Sequence, residues 1–383
     1  MLGLGLGLTS PAIRSGGLPQ FNQVGAAYWP RFKANYLDGL AGKTDLSSAS
    51  TSAMGTSISG SQNWIGGVLG LDGKIYAIPA TATNVLIIDP AADTASLDDM
   101  GATLSGSLKW AGGVLAHNGK VYGVPRDSTD ILIIDPDAGT AERSTMGLTI
   151  TGSVNWFGGA LGPDGKIYCA PLNADTILII DPEAGTASKS NMGASLTDDE
   201  KYFGAVLGPD GKVYCIPGSA TDILIIDPLA GTATRSNMGA SLTGTFKWNG
   251  GVLAPNGKIY CIPSNSANIL IIDPEAGTAT RSNMGASLSG NSQYAGGVLG
   301  PDGKIYGIPR GDNDFLIIDT DAGTATTATL GVTLSGTNKY FGGSLGADGN
   351  IYSIPYNEDE IIEVSQGTPG NIQALASGWL NKY

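Results

Sequence analysis

Carboxylates are the first residues in this chain that could do chemistry. Asp89, Asp135, Asp181, Asp227, Asp273 and Asp319 stand 46 residues apart, and all but the last precede proline. Asp72, Asp164, Asp210, Asp302 and Asp348 form a second set, each followed by glycine. Clustered carboxylates could serve general acid/base work or bind calcium. The same residue in nearly every copy favours a scaffold role instead, because an active site needs broken symmetry. An Asx-Pro aspartate accepts backbone N–H bonds across its turn, and the D-G loops lack the run of oxygen ligands of an EF-hand. A second candidate is the aromatic series Trp64, Trp110, Trp156, Tyr202, Trp248, Tyr294 and Tyr340. These rings could stack on sugars or pack between repeats, and packing is favoured because core positions are where repeats agree. The single histidine, His117, sits in a turn, and Cys169, Cys215 and Cys261 share one repeat position. The cysteines read as small buried fillers, too far apart for disulfides. No nucleophile–base pair, phosphate loop or dinucleotide fingerprint stands out. The expectation is a chain that is not an enzyme, with no catalytic residue, no metal and no cofactor.

The elements that carry these residues follow from the period. Tyr76, Tyr122, Tyr168, Tyr214, Tyr260, Tyr306 and Tyr352 mark seven copies without insertion or deletion. Each copy reads as four strands: W/Y-x-G-G-V-L-G, then G-K-I-Y-x-I-P, then an apolar run ending in L-I-I-D, then the more polar T-A-T-R-S. A small sheet repeated at this period must bury both faces against its neighbours, which predicts an all-β, seven-bladed β-propeller. The seventh copy stops after Val364 without its outer strand, and the missing piece lies at the other end. Residues Ser47 to Ser52 are expected to complete the last blade and close the ring, leaving no free sheet edge.

What differs between copies is the better pointer to recognition. Variation concentrates in two loops of one face. The loop after the second strand reads A-T-A-T, R-D-S-T, L-N-A-D, G-S-A-T, S-N-S-A, R-G-D-N and Y-N-E-D in turn. The loop before the first strand ends in Asn63, Lys109, Asn155, Lys201, Lys247, Gln293 and Lys339. Lys109, Arg126, Lys201, Lys247, Arg310, Lys339 and Tyr356 are therefore the expected ligand-binding residues, with Glu358 and Asp198 to Glu200 adding irregular charge.

A formal charge of −13, with basic residues spread over the repeats, argues against nucleic acid and anionic membrane surfaces as partners. Residues 1–45 lie outside the repeat and alternate leucine with glycine at the start. They lack the charged region and continuous apolar core of a signal peptide, and are too short in apolar run to span a bilayer. Leu2, Leu4, Leu6, Tyr28, Trp29 and Phe32 are the expected assembly contacts, with a neighbouring subunit as partner. The expected organisation is an assembly segment at 1–45, the propeller at 46–366 and a tail at 367–383, where Ile372, Leu375, Trp379 and Leu380 are spaced like a short helical face.

The D-G-K-I-Y-x-I-P element resembles that of bacterial and viral seven-bladed propellers, a likeness that speaks to fold rather than activity. The leader L-G-L-G-L-T-S-P-A-I-R, residues 4–14, resembles leaders of tailed-bacteriophage virion proteins. That resemblance implies a structural or adhesive fibre-type subunit, outside the cell on a virion, whose propeller presents itself to a cell-surface glycan or protein. The alternatives are a secreted or periplasmic lectin-like propeller and, last, a propeller lyase or hydrolase.

Overall fold

The computed structural model describes residues 45–366, which form a ring of seven four-stranded antiparallel sheets. Strands run from β1 (Ser48–Ser52) to β28 (Ile361–Ser365). In the first blade β2 (Trp64–Leu69), β3 (Ile75–Pro79), β4 (Val85–Asp89) and β5 (Thr94–Asp98) lie side by side from hub to rim. The same order repeats in every later blade. Burial explains the division of labour along each sheet. The second strand, Ile-Tyr-Ala-Ile-Pro in blade one, is buried at all five positions, whereas the outer strand alternates exposed and half-buried residues. A run buried on both faces needs no polar alternation, and an outer strand facing solvent does.

The last sheet has the order β1, β28, β27 (Ile351–Pro355), β26 (Tyr340–Leu345). Ser48 pairs with Ser365 and Ser52 with Ile361, so β1 supplies the outer strand that the seventh copy lacks. The ring closes as the sequence predicts. The leader residues Leu2, Leu4, Leu6, Tyr28, Trp29 and Phe32, and the tail with Trp379, lie outside the described residues.

The hub is built from glycine. Gly66, Gly112, Gly158, Gly204, Gly250, Gly296 and Gly342 have φ between 64° and 102°, at a register shift in each innermost strand. A Cβ on Gly250 would stand 3.0 Å from Cα of Gly296. Left-handed backbone and close approach coincide, so no other residue fits. Gly250→Ala is expected to cost on the order of 2 kcal/mol or more, read as a lower urea midpoint than the wild type; an unchanged midpoint would mean that the hub can widen freely.

The recurring aspartates are structural, as their regularity implied. Asp89 accepts the amides of Ala91 and Ala92 at 3.1 Å and pairs with Lys74 at 3.4 Å. The carboxylates of Asp135 and Asp273 are held below the usual range chiefly by such amide bonds. Asp72 accepts the hydroxyl of Tyr76 at 2.7 Å, and Asp164, Asp210, Asp302 and Asp348 do the same for their own blade's tyrosine.

Candidate functional site

The seven large aromatics belong to the core. Trp64, Trp110, Trp156 and Trp248 are fully buried, and each indole N–H donates to a backbone carbonyl twenty residues on, at 2.7 to 2.9 Å. The hydroxyl of Tyr202 donates to Asp222 at 2.6 Å. These rings are closed to a sugar, and packing between blades is their role.

The lysines proposed as ligand contacts are also turned inward. Lys109 is buried, and its Nζ donates to the carbonyls of Ala80, Ala82 and Gly106 at 2.8 to 3.0 Å. Lys247 repeats this on Gly218, Ala220 and Gly244 at 2.7 to 2.9 Å. Lys201 donates to the carbonyl of Asp198, and Lys339 to Gly336 and the side chain of Asn313. They tie one blade's loop to the next instead of facing solvent. Burial lowers all four, to about 8 for Lys109 and Lys247. Their variation between copies misled because the task is constant while the residue is not. Gln293 reaches the same three carbonyls in its blade, whereas the side-chain amide nitrogens of Asn63 and Asn155 are buried with no hydrogen-bond partner among the described residues.

Arg126, Arg310 and Tyr356 do come together, in a cup of about 350 Å³ at the mouth of the ring. Three repeat positions supply most of its lining, with Trp248 and Asn265 besides. The second residue of the innermost strand gives Ile65, Phe157, Phe203, Asn249 and Phe341; the first residue after the second strand gives Arg126, Leu172, Ser264, Arg310 and Tyr356; and the rim gives Leu108, Val154, Glu200, Phe246 and Ser292. Glu358 is absent from this lining. The rim residues have φ between 47° and 57°, a costly conformation for Leu108, Val154 and Phe246. A neighbouring side chain steadies each: Asp127 accepts the amide of Val154 at 2.5 Å, Asn173 that of Glu200 at 2.8 Å and Ser219 that of Phe246 at 3.2 Å.

Aromatic rings run across the floor and up to the rim at Phe246. Tyr356, Phe341, Phe157, Phe203 and Phe246 touch in sequence, with centroids 5.1 to 5.7 Å apart and tilted planes. Phe157 belongs to the third blade and Phe341 to the seventh, so their contact spans the ring and floors the mouth. The two arginines differ in state. Arg126 is paired with Asp127 at 2.7 Å. Arg310 lies 5.0 Å above the ring of Phe341, and among the described residues only its Nε finds an acceptor, Asn338 at 2.8 Å. Burial pushes Arg310 down and the Tyr356 hydroxyl up, while both arginines draw Tyr356 back. Phe157, Phe203 and Phe341 escape a search for variation in loops, whereas Leu172 stands at the head of the varying L-N-A-D loop without being singled out. Position 65 and its equivalents read I, A, F, F, N, A, F inside an otherwise fixed strand, and that was the available signal.

No protein-family model matches the chain, and no curated protein matches its sequence. Solved structures do match. A catalytically inactive variant of virginiamycin B lyase from Staphylococcus aureus, solved with quinupristin, is 13% identical; the match covers 83% of this chain and 98% of that one with a TM-score of 0.65. A streptogramin B lyase is 16% identical over 82% and 96%, also at 0.65. The hydrazine synthase of Kuenenia stuttgartiensis is 15% identical over 82% and 99%, at 0.58. These neighbours correct the expectation of a chain that is not an enzyme. That expectation rested on the regularity of the repeats, and rings of this build carry lyase chemistry, so even blades are no argument against catalysis. At such identities the shared property is the fold: this chain is a seven-bladed β-propeller.

Proposed function

We propose that the chain is a ligand-recognising propeller that works through the cup and is held to a larger assembly by its opposite face. One observation carries this reading: three positions that diverge between the repeats meet in one aromatic-floored cavity. Structural drift has no reason to coincide in space, whereas a binding site does. The polarity of the ring supports the second half. Ser48 pairs with Ser365 at the end of β28 remote from the loops of the cup, and Asp45 bonds to Lys304 in a turn of that same remote face. The chain therefore enters and leaves the described ring opposite the cup. A leader anchored in a virion fibre would turn the cup outward, toward a host-surface ligand.

Turnover in the cup is a second reading, favoured by Glu200. Its carboxylate has no hydrogen-bond or ion-pair partner among the described residues, and it lines the same cavity as Arg310 and Tyr356. A base, a cation and a hydroxyl donor are the pieces an elimination uses. The carboxylate would take a proton from carbon, that C–H electron pair would form the new double bond, and the leaving group would depart with the Tyr356 proton. The streptogramin B and virginiamycin B lyases have the same ring.

The test is a thermal-shift screen with cell-surface glycans and apolar ring compounds, followed by mass analysis of the recovered ligand. A hit whose shift disappears in Phe157→Ala/Phe203→Ala supports recognition in the cup, and a changed mass that requires Glu200 supports elimination. Binding that survives the double substitution in a folded ring sinks the proposal.

A further inference from the structure

The cup is divided. Leu172, Phe157, Phe203 and Phe246 make one side apolar, in the third and fourth blades and the loop that enters the fifth. The other side holds the polar groups Arg310 of the sixth blade, Tyr356 of the seventh and Arg126 of the second, beside the apolar Ile65 of the first blade and Leu108 of the loop that enters the second. Arg126 is neutralised by Asp127, but no carboxylate among the described residues lies within ion-pair distance of Arg310. Its guanidinium is stacked on Phe341 and fixed through Nε, which leaves the terminal nitrogens unspent. A planar cation held in this way, with its outer donors open to a cavity, is arranged for a two-oxygen anion. Among the described residues Glu200 is the one acidic side chain that lines the cavity, and it sits on the apolar side.

From this division we propose, resting on the cup as the binding site, that the ligand is an amphipathic anion. Its ring-bearing apolar body lies on Phe157, Phe203 and Phe246, and its carboxylate or sulfonate group lies against Arg310 and the Tyr356 hydroxyl. Glu200 fixes the orientation by repelling the acid from the far side. A neutral sugar would leave Arg310 buried without a counter-charge, which is the costlier arrangement.

Two fluorescent probes separate the terms: anilinonaphthalene sulfonate, an aromatic sulfonate, and N-phenylnaphthylamine, a neutral aromatic of similar shape. The full chain is expected to bind the sulfonate more tightly. Arg310→Met, which keeps the packing on Phe341, is expected to weaken the sulfonate about tenfold and the neutral probe less than about twofold. Equal weakening of both probes, or of neither, overturns the anion proposal while leaving the cup as the site. Phe157→Ala, checked for an unchanged urea midpoint, is expected to weaken both. If it weakens neither, the probes bind elsewhere and the cup reading itself fails.

Discussion

A chain beginning at Ala53, lacking β1, is expected to lose on the order of 5 kcal/mol of stability and to associate through the bared edge of β28. A chain beginning at Asp45 keeps the closed ring. The difference lies in what eight residues hold. Leu46 is 3% exposed and packs in the cluster that joins the sixth and seventh blades. Its carbonyl accepts the hydroxyl of Tyr306 at 3.2 Å, the amide of Ala49 donates to Leu330 at 2.7 Å, and Asp45 pairs with Lys304 at 2.9 Å. Removing the strand therefore frees two neighbours at once: the last blade loses its outer strand, and its grip on the sixth blade loosens. Burial of one leucine is worth about 2 kcal/mol, and each ladder hydrogen bond about 1 kcal/mol net. Urea unfolding should move to a lower midpoint, sedimentation should show dimers or larger species, and an added peptide of residues 45–52 should reverse both. A chain from Ala53 that stays monomeric with the wild-type midpoint would show that the ring closes without its clasp.

Ring architecture was legible because it depends on what repeats. The period gave seven blades, the missing outer strand gave the closure, and the carboxylates were recognised as scaffold from their recurrence. The site was half legible. Arg126, Arg310 and Tyr356 stand in a loop that varies visibly, and they line the cup; the four lysines beside it are turned onto backbone carbonyls instead. Their sequence neighbourhood says only that a polar residue precedes the first strand. Whether its amine reaches water or three carbonyls of the preceding blade depends on how blades stack, which sequence adjacency does not encode. Phe157, Phe203 and Phe341 were hidden for the opposite reason. Each looks like a core residue of a strand, and only the curvature of the ring brings them together at the mouth. The floor of the cup is made by substitutions at core-like positions, so attention confined to the loops finds its rim and misses its floor.

Lys247→Met is expected to destabilise the ring by about 3 kcal/mol, because three buried carbonyls lose their donor together. Lys247→Gln should cost less than about 1 kcal/mol, since Gln293 already spans the same carbonyls from the same repeat position. The pair separates the hydrogen bonds from the charge, and pH separates them again. Burial holds Lys109 and Lys247 at about 8, below the ordinary 10.5. Below pH 8 folded and unfolded chains are both protonated, and the fold carries the cost of two buried charges. Between 8 and 10.5 the unfolded chain binds more protons, so stability rises with pH across that window. Other groups oppose it from higher pH. Burial raises the thiols of Cys169, Cys215 and Cys261 from 9.0, and the hydroxyls of Tyr76, Tyr168, Tyr202, Tyr214, Tyr294, Tyr306, Tyr340 and Tyr352 from 10.0. The unfolded chain then sheds protons that the folded one keeps, and stability falls as pH passes 9 and then 10. Urea midpoints of the wild type should peak between about 8 and 9, while Lys109→Gln/Lys247→Gln should keep the fall and lose most of the rise, the remainder coming from Lys201 and Lys339, which burial also lowers. A double variant that gains as much stability as the wild type from pH 7.5 to 8.5, about the lower edge of that window, would mean that the two ammonium groups are not what the fold relieves there.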